Sequence, residues 1–418
     1  MNKRASLVRI DGARLLNRLA ELGRIGEIED GGVCRLALTD EDRQGRDQVV
    51  SWMRELDMQV TIDRIGNIVG TKPGNRPELT PVMTGSHIDT VRTGGRYDGN
   101  LGVLAGLEVV AALNDAGVTL DRALQVAVFT NEEGARFAPD MMGSLVFQGD
   151  LPLQTALDTI GIDGTTVRDN LERIGYAGTT PCGNHAVHAY IELHIEQGPV
   201  LEHENIDIGV VTGVQGICWI EFEVLGVSNH AGTTPMTLRQ DAGAVFADIA
   251  AFVRELTRRH GAGQLGTVGH CTLFPNLVNV IPSKAVFTVD LRNVSKDVLD
   301  AAEKELLDHA NKVASREGVQ LRHRSLARFD PVDFDPALVD LVERTARAHG
   351  RTVKRLPSGA GHDARSMASI TDVGMIFVPS KGGRSHVAEE LTDYEDIQQG
   401  CNLLLGTILK LDESSGYA

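Results

Sequence analysis

Two hydrophobic patterns follow one another along the chain, and the change between them divides it. From about residue 55 to 140, short apolar runs alternate with helical spacing. Residues 81–84 and 123–130 read as strands. Between them, 100–116 carries Leu101, Leu104, Leu107, Val110 and Leu113 at helical intervals, with Gly117 as the stop. A strand–helix–strand unit favours parallel pairing in a sheet covered by helices. Residues 190–197 predict a further strand, in which Ile191, Leu193 and Ile195 alternate with Glu192, His194 and Glu196. That alternation places His194 on a polar face between two carboxylates.

From about Gly213 the texture differs. Residues 219–224 and 285–291 alternate cleanly, as antiparallel strands with one buried face do. Residues 241–258 and 295–317 have the spacing of amphipathic helices, and near 329–335 the α/β pattern returns. The chain of 418 residues exceeds the usual size of a single core. The expected organisation is one domain made of 1–212 and 329–418, with a second, 213–328, inserted into it. No repeat, low-complexity stretch or long linker interrupts this scheme.

Composition narrows the function classes. No apolar run approaches the roughly 20 residues that span a bilayer. Near the N-terminus Arg9, Asp11 and Arg14 break any signal-peptide core. Leu7, Ile10, Leu15, Leu16 and Leu19 read instead as an amphipathic helix, so a cytoplasmic protein without a membrane partner is expected. The net charge of −16, with no Lys/Arg cluster, argues against nucleic acid as a partner. Five scattered cysteines, none spaced C-x-x-C, exclude a disulfide framework or a Cys-rich zinc site. The apolar surroundings of Cys218 and the absence of G-x-S-x-G disfavour cysteine and serine nucleophiles.

The chemistry lies in two polar loops that each follow a predicted strand. Gly85-Ser86-His87-Ile88-Asp89-Thr90 runs on to Tyr97-Asp98-Gly99, and Thr130-Asn131-Glu132-Glu133-Gly134 comes about 35 residues later. Imidazole and carboxylate together bind divalent metals. Of two adjacent glutamates, one can ligate while the other moves a proton. His194 and the late Gly-Gly-Arg-Ser-His386 complete the series. Each residue alone is ordinary, but their conjunction points to a metal-activated water and so to a hydrolase.

These residues carry a resemblance. Stretches 85–99, 130–139, 194–199, 229–236 and 358–363 are similar to the hydantoinase/carbamoylase amidase family, within the di-zinc clan of aminoacylases and carboxypeptidases. The similarity runs from about residue 10 to 410. It implies an α/β fold: a di-metal peptidase-like catalytic domain, with a mixed sheet flanked by helices, and an inserted α+β lid and dimerisation domain. It further implies two divalent ions bridged by Asp98, Zn2+ first, with Mn2+, Co2+ or Ni2+ as alternatives. His87 and His194 would complete one site, and Glu133 and His386 the other. Glu132 would be the general base, and Asp89 the carboxylate that fixes a ligand imidazole.

For the substrate, the resemblance implies Gln197 near the scissile amide and the backbone of Gly359, Ala360 and Gly361 along the pocket. His362 would assist without ligating. In the inserted segment, His230 would steady the oxyanion, often from a partner subunit. Asn279 and Arg292 would bind a carboxylate, for which the planar guanidinium fork is suited. The expected reaction is ureido C–N cleavage in N-carbamoyl-L-amino acids by a homodimer. Allantoate is the alternative substrate, followed by β-ureidopropionase and dipeptidase or aminoacylase activities. One departure is Val387, where the family commonly has Asn or Ser; an acidic residue, Glu390, is retained.

Overall fold

The computed structural model describes residues 8–183, 186–261 and 263–413. Its strands are β1 Gln59–Ile62, β2 Ile68–Lys72, β3 Val82–His87, β4 Leu124–Phe129, β5 Ala189–Ile195, β6 Ile208–Val214, β7 Gly216–Leu225, β8 Leu265–Phe274, β9 Lys284–Asn293, β10 Gln320–Phe329, β11 Val332–Asp333, β12 Val353–Ser358 and β13 Asp372–Val378. They are distributed over two compact units. The first runs to Thr212 and resumes at Phe334, and the second is Gly213–Asp333.

The first unit is built on a mixed sheet in which β1, β2, β4, β3, β5, β13 and β6 are successive neighbours, with β12 against β6. Its centre is parallel: β3 pairs with β4 and β5, and β5 with β13. The predicted helix forms over Asn100–Ala116 and ends at Gly117, whose φ of 62° suits glycine. Helices pack against this centre, and every residue of β5 is buried. The polar positions expected around His194 are therefore buried instead of solvated. Flanked by parallel strands, the segment is internal on both faces, which no alternation rule foresees.

At the N-terminus the helix is Gly12–Gly23, with Leu15, Leu19 and Leu22 inward. Leu7 lies outside the described residues, and Ile10 precedes the helix. Asp11 accepts the N–H groups of Ala13 and Arg14 as its cap, and Arg14 pairs with the fully buried Glu108 at 2.7 Å. Of the charges that interrupt the apolar run, Asp11 thus caps the helix and Arg14 ties it to the helix Asn100–Ala116.

The second unit is an antiparallel sheet ordered β10, β7, β9, β8. One face is covered by helices Ala242–His260 and Lys296–Glu317. Phe222 and Phe287 stack at 5.2 Å within its core, together with Ile249, Val253 and Leu306. The opposite face carries Lys284, Asp290 and Arg292. The chain leaves this unit at 333 instead of 328, because β10 continues to Phe329 and Val332–Asp333 then pair with Val214 and Gly213. Among the described residues no helix is long and apolar enough to cross a membrane.

Candidate metal centre

Both polar loops leave the sheet at the C-terminal ends of parallel strands, where open α/β sheets place their sites. His87 is the last residue of β3, and Thr130 follows β4. Asp98 sits at the turn into the helix Asn100–Ala116. Gly99 makes this approach feasible: its φ is 65°, and a Cβ there would lie 2.4 Å from the His87 ring. Asn131, Gln197 and His386 also have positive φ, near 56°, 55° and 59°. Such backbone in non-glycine residues concentrates at functional sites.

The side chains converge on Asp98. Its Oδ1 is 3.1 Å from His194 Nε2 and 3.7 Å from His87 Nε2, and its Oδ2 is 3.2 Å from His386 Nε2. Glu133 Oε2 lies 3.3 Å from His386 Nε2, and Glu132 Oε2 lies 3.3 Å from His87 Nε2. Two triads emerge, His87–Asp98–His194 and Asp98–Glu133–His386, sharing Asp98. The first is buried, whereas the His386 side chain is 49 % exposed, so this centre meets solvent through His386.

The hydrogen bonds behind the imidazoles set their tautomers. His87 Nδ1 donates to the Asp89 carbonyl at 2.9 Å, and His194 Nδ1 to that of Ile195 at 2.8 Å. A carbonyl only accepts, so each Nδ1 carries a proton, and Nε2 is the nitrogen that faces inward and offers a lone pair whenever the ring is neutral. His194 is further set by His362, whose ring packs edge-on at 4.5 Å and whose Nε2 meets Ser358 Oγ at 2.8 Å.

Asp89 meets His87 through its carbonyl, whereas the resemblance implies its carboxylate as the group that fixes a ligand imidazole. Its carboxylate accepts the backbone N–H groups of Glu132 and Glu133, at 3.2 and 3.3 Å, and does not touch the imidazole. The chain turns at Asp89 so that its carbonyl faces His87 while its side chain crosses to the neighbouring loop. Glu390 acts in a similar way. Its Oε1 accepts the N–H groups of Tyr97 and Asp98, and its Oε2 lies 2.9 Å from Ser385 Oγ. Along the chain Glu390 stands out only as a retained acid, and Ser385 does not stand out at all, although it is also 2.9 Å from Asp98 Oδ2. Gln197 donates to that same oxygen at 2.7 Å, while its own Oε1 is buried without a partner. Of the two carboxylates expected to flank His194, Glu192 lies beside it in a group with His362, and Glu196 is engaged elsewhere. Glu192 accepts Ser86, Tyr190 and the Ala364 N–H, and Glu196 accepts the N–H groups of Val200 and Leu201.

Charge explains what this cluster can hold. Burial, then the proximity of Asp363, Glu133, Asp98 and Asp89, pushes Glu132 well above the usual carboxylate range. Burial and Asp98 do the same to Glu133 and bring Glu390 to about 7. Burial lowers His87 to about 4. At His194 burial also opposes the charged form, but the Asp98 carboxylate outweighs it and raises the ring to about 9. Carboxylates crowded together in low dielectric, with imidazole nitrogens among them, suit divalent cations, which compete with protons for the same atoms. The donor set, all N and O with no thiolate, fits Zn2+ and its first-row neighbours.

Other predicted residues group separately. Gly359 is exposed and Ala360 and Gly361 are half-buried. The Ala360 N–H is taken by Ser358 Oγ at 3.1 Å. Within the second unit His230 and Asn279 are drawn together: Ala231 N–H donates to the Asn279 carbonyl at 2.9 Å, and His230 bridges to Val280. Arg292 holds Asp290 at 2.8 Å and lies 5.9 Å over the Trp219 ring.

Parallel strands ending in imidazole and paired carboxylates define the class: a hydrolase of mixed α/β fold with a site able to hold metal. Residues 83–410 match Peptidase family M20/M25/M40. The chain is 41% identical, over 405 residues, to an N-carbamoyl-L-amino-acid amidohydrolase of Rhizobium meliloti, covering 97% of each. It is 35% identical over 422 residues to a ureidoglycolate hydrolase of Arabidopsis thaliana, covering 97% of this chain and 88% of the relative. The crystal structure of an amidase of the hydantoinase/carbamoylase family from Burkholderia multivorans superposes with a TM-score of 0.95 at 42% identity, covering 97% of this chain and 99% of that one. The chain therefore belongs to the M20/M25/M40 family and, within it, to the hydantoinase/carbamoylase amidases.

Proposed function

We propose that the protein hydrolyses the ureido C–N bond of N-carbamoyl-L-amino acids, giving the amino acid, ammonia and carbon dioxide. The observation that carries this reading is the pair of triads sharing Asp98 with Glu132 beside them, in a chain similar along 97% of its length to an N-carbamoyl-L-amino-acid amidohydrolase. His87, Asp98 and His194 would hold one divalent cation, and Asp98, Glu133 and His386 a second. When bound, such ions supply Lewis acidity and lower the pKa of water.

The chain's own groups do the rest. Glu132 takes a proton from the attacking water and later delivers it to the departing nitrogen. Its burial among other carboxylates raises its proton affinity in the direction a general base near neutrality requires. Asp89 holds the Glu132 backbone in place for this work. In this reading Arg292 and Asn279 anchor the substrate carboxylate, and His230 steadies the oxyanion. That Arg292 already grips a carboxylate, that of Asp290, supports its assignment. Assembly as a homodimer through the inserted unit belongs to the same proposal.

Allantoate is the second reading, since it joins a ureido group to a carboxylate and a ureidoglycolate hydrolase is among the relatives. Ammonia release after metal loading decides between them, measured with N-carbamoyl-L-methionine, N-carbamoyl-β-alanine and allantoate, with free methionine from N-acetyl-L-methionine followed separately, beside Glu132→Gln. Preference for the first, absent in the variant, is the expected result. Preference for allantoate transfers the same chemistry to the second reading, and turnover undiminished in the variant removes Glu132 as the base.

A further inference from the structure

Arg35 is among the largest fully buried side chains, and its guanidinium hydrogen-bonds only to neutral groups, with the carboxylates of Asp42 and Asp89 near enough to favour its charge. Nε donates to the Ile88 carbonyl at 2.7 Å, and Nη2 to Asn100 Oδ1 at 2.7 Å. Nη1 donates to the carbonyls of Leu22 and Ile25 at 2.9 and 2.8 Å, at and just beyond the end of the helix Gly12–Gly23. A buried cation whose hydrogen-bond partners carry no charge is costly. The stem is gripped as well: Gly45 packs so closely that a Cβ there would lie 3.0 Å from Arg35 Cδ.

The partners explain why such a group is kept. Ile88 is the residue between His87 and Asp89, and Asn100 is the second residue after Asp98. The Arg35 backbone is tied to the same loop, since its N–H donates to Thr90 Oγ1 at 2.8 Å and its carbonyl accepts the Thr90 N–H at 2.9 Å. One rigid, planar fork thus joins the segment carrying His87 to the segment carrying Asp98, and anchors both to a helix end that favours positive charge. We propose that Arg35 is a positioning residue of the metal centre: its guanidinium, bridging the Ile88 carbonyl and the Asn100 side chain, sets the spacing of His87 and Asp98. This rests on the reading of those two residues as metal ligands.

Lysine keeps the charge of Arg35 but cannot reach four acceptors in a plane, and Asn100→Ala removes the Asp98 arm together with the Asn100 bond to the Arg96 carbonyl. The experiment titrates wild type, Arg35→Lys and Asn100→Ala with Zn2+ against a competing chelator, alongside thermal unfolding of the zinc-free proteins. Both variants are expected to bind Zn2+ about tenfold or more weakly, the usual cost of losing a group that orients a ligand. Their KM at saturating Zn2+ should be unchanged. A folded variant with lowered Tm but Zn2+ affinity within about twofold of wild type would mean that Arg35 only staples the core, which overturns the proposal. If Arg35→Lys does not fold, Asn100→Ala decides by the same criterion. Wild type that takes up no Zn2+ removes the metal centre itself and this proposal with it, a result distinct from wild-type affinity in the variants.

Discussion

The carboxylate of Asp89 accepts the backbone N–H of Glu132 at 3.2 Å, and with its other oxygen takes the N–H of Glu133 at 3.3 Å. One side chain therefore orients the proposed base and a proposed ligand together. Asn in its place offers one acceptor and turns an amide N–H toward the other backbone donor. Asp89→Asn is expected to lower kcat by about 10- to 100-fold and to weaken metal binding, with KM close to wild type. Steady-state kinetics with metal analysis check this; wild-type kcat would remove the positioning role.

Gly99 gives the second prediction. Its φ of 65° is disfavoured for residues with a Cβ, and that Cβ would meet three atoms of the His87 ring at 2.4–2.5 Å. Gly99→Ala should fold, lose metal affinity and retain less than about a tenth of wild-type activity, on the scale expected when a ligand is displaced. Stoichiometric metal with full activity would show that the ring can move aside without consequence.

Metal removal should be felt in stability as well as turnover. Glu132 and Glu133 are buried against Asp98 and Asp89, and cations relieve that repulsion. Chelation is expected to abolish activity and to lower Tm. Restoring Zn2+ at a hundredfold excess over its Kd should return about 2.7 kcal/mol of stability per ion bound. Glu132→Gln should keep this gain in Tm while losing at least about a hundredfold in kcat. A Tm indifferent to Zn2+ would count against the site.

Asp63, away from this centre, should leave a mark on the pH dependence of folding. Burial raises its carboxyl to about 6, despite hydrogen bonds from Asn67 and the N–H of Ile65. The folded state therefore holds that proton more tightly than the unfolded chain, whose value is about 3.9. The resulting stability is present in full below about pH 4 and is lost as pH rises through about 6. Asp63→Asn stays neutral throughout. The stability of wild type minus that of the variant, from urea unfolding, should fall between those limits and level off above them. Parallel curves would contradict the shift.

Much of the candidate centre was legible along the chain because its residues sit in short loops next to recognisable strands. His87, Asp98, Glu132 and Glu133 could be singled out from a strand end, a turn and a paired acid, and the helix between the loops from its apolar spacing and Gly117. His194 could be singled out as well, with Glu192 beside it, but the burial of the strand on both faces could not. Alternation reports which positions differ in polarity, not whether a sheet is covered on both faces, and here β3 and β13 enclose β5.

The order of residues alone sets the repertoire: imidazoles and carboxylates in a fixed succession, strands and helices of fixed period, and a change of pattern near Gly213. How those groups are held is a property of the packed chain. The grip of Glu390 on the Asp98 backbone, the reach of Asp89 to Glu132 and the Arg35 bridge all join segments remote in the chain. Local propensity is written in neighbouring residues. The partner of a buried polar group is whichever donor or acceptor the packing brings within about 3 Å, and burial makes leaving it unpaired costly.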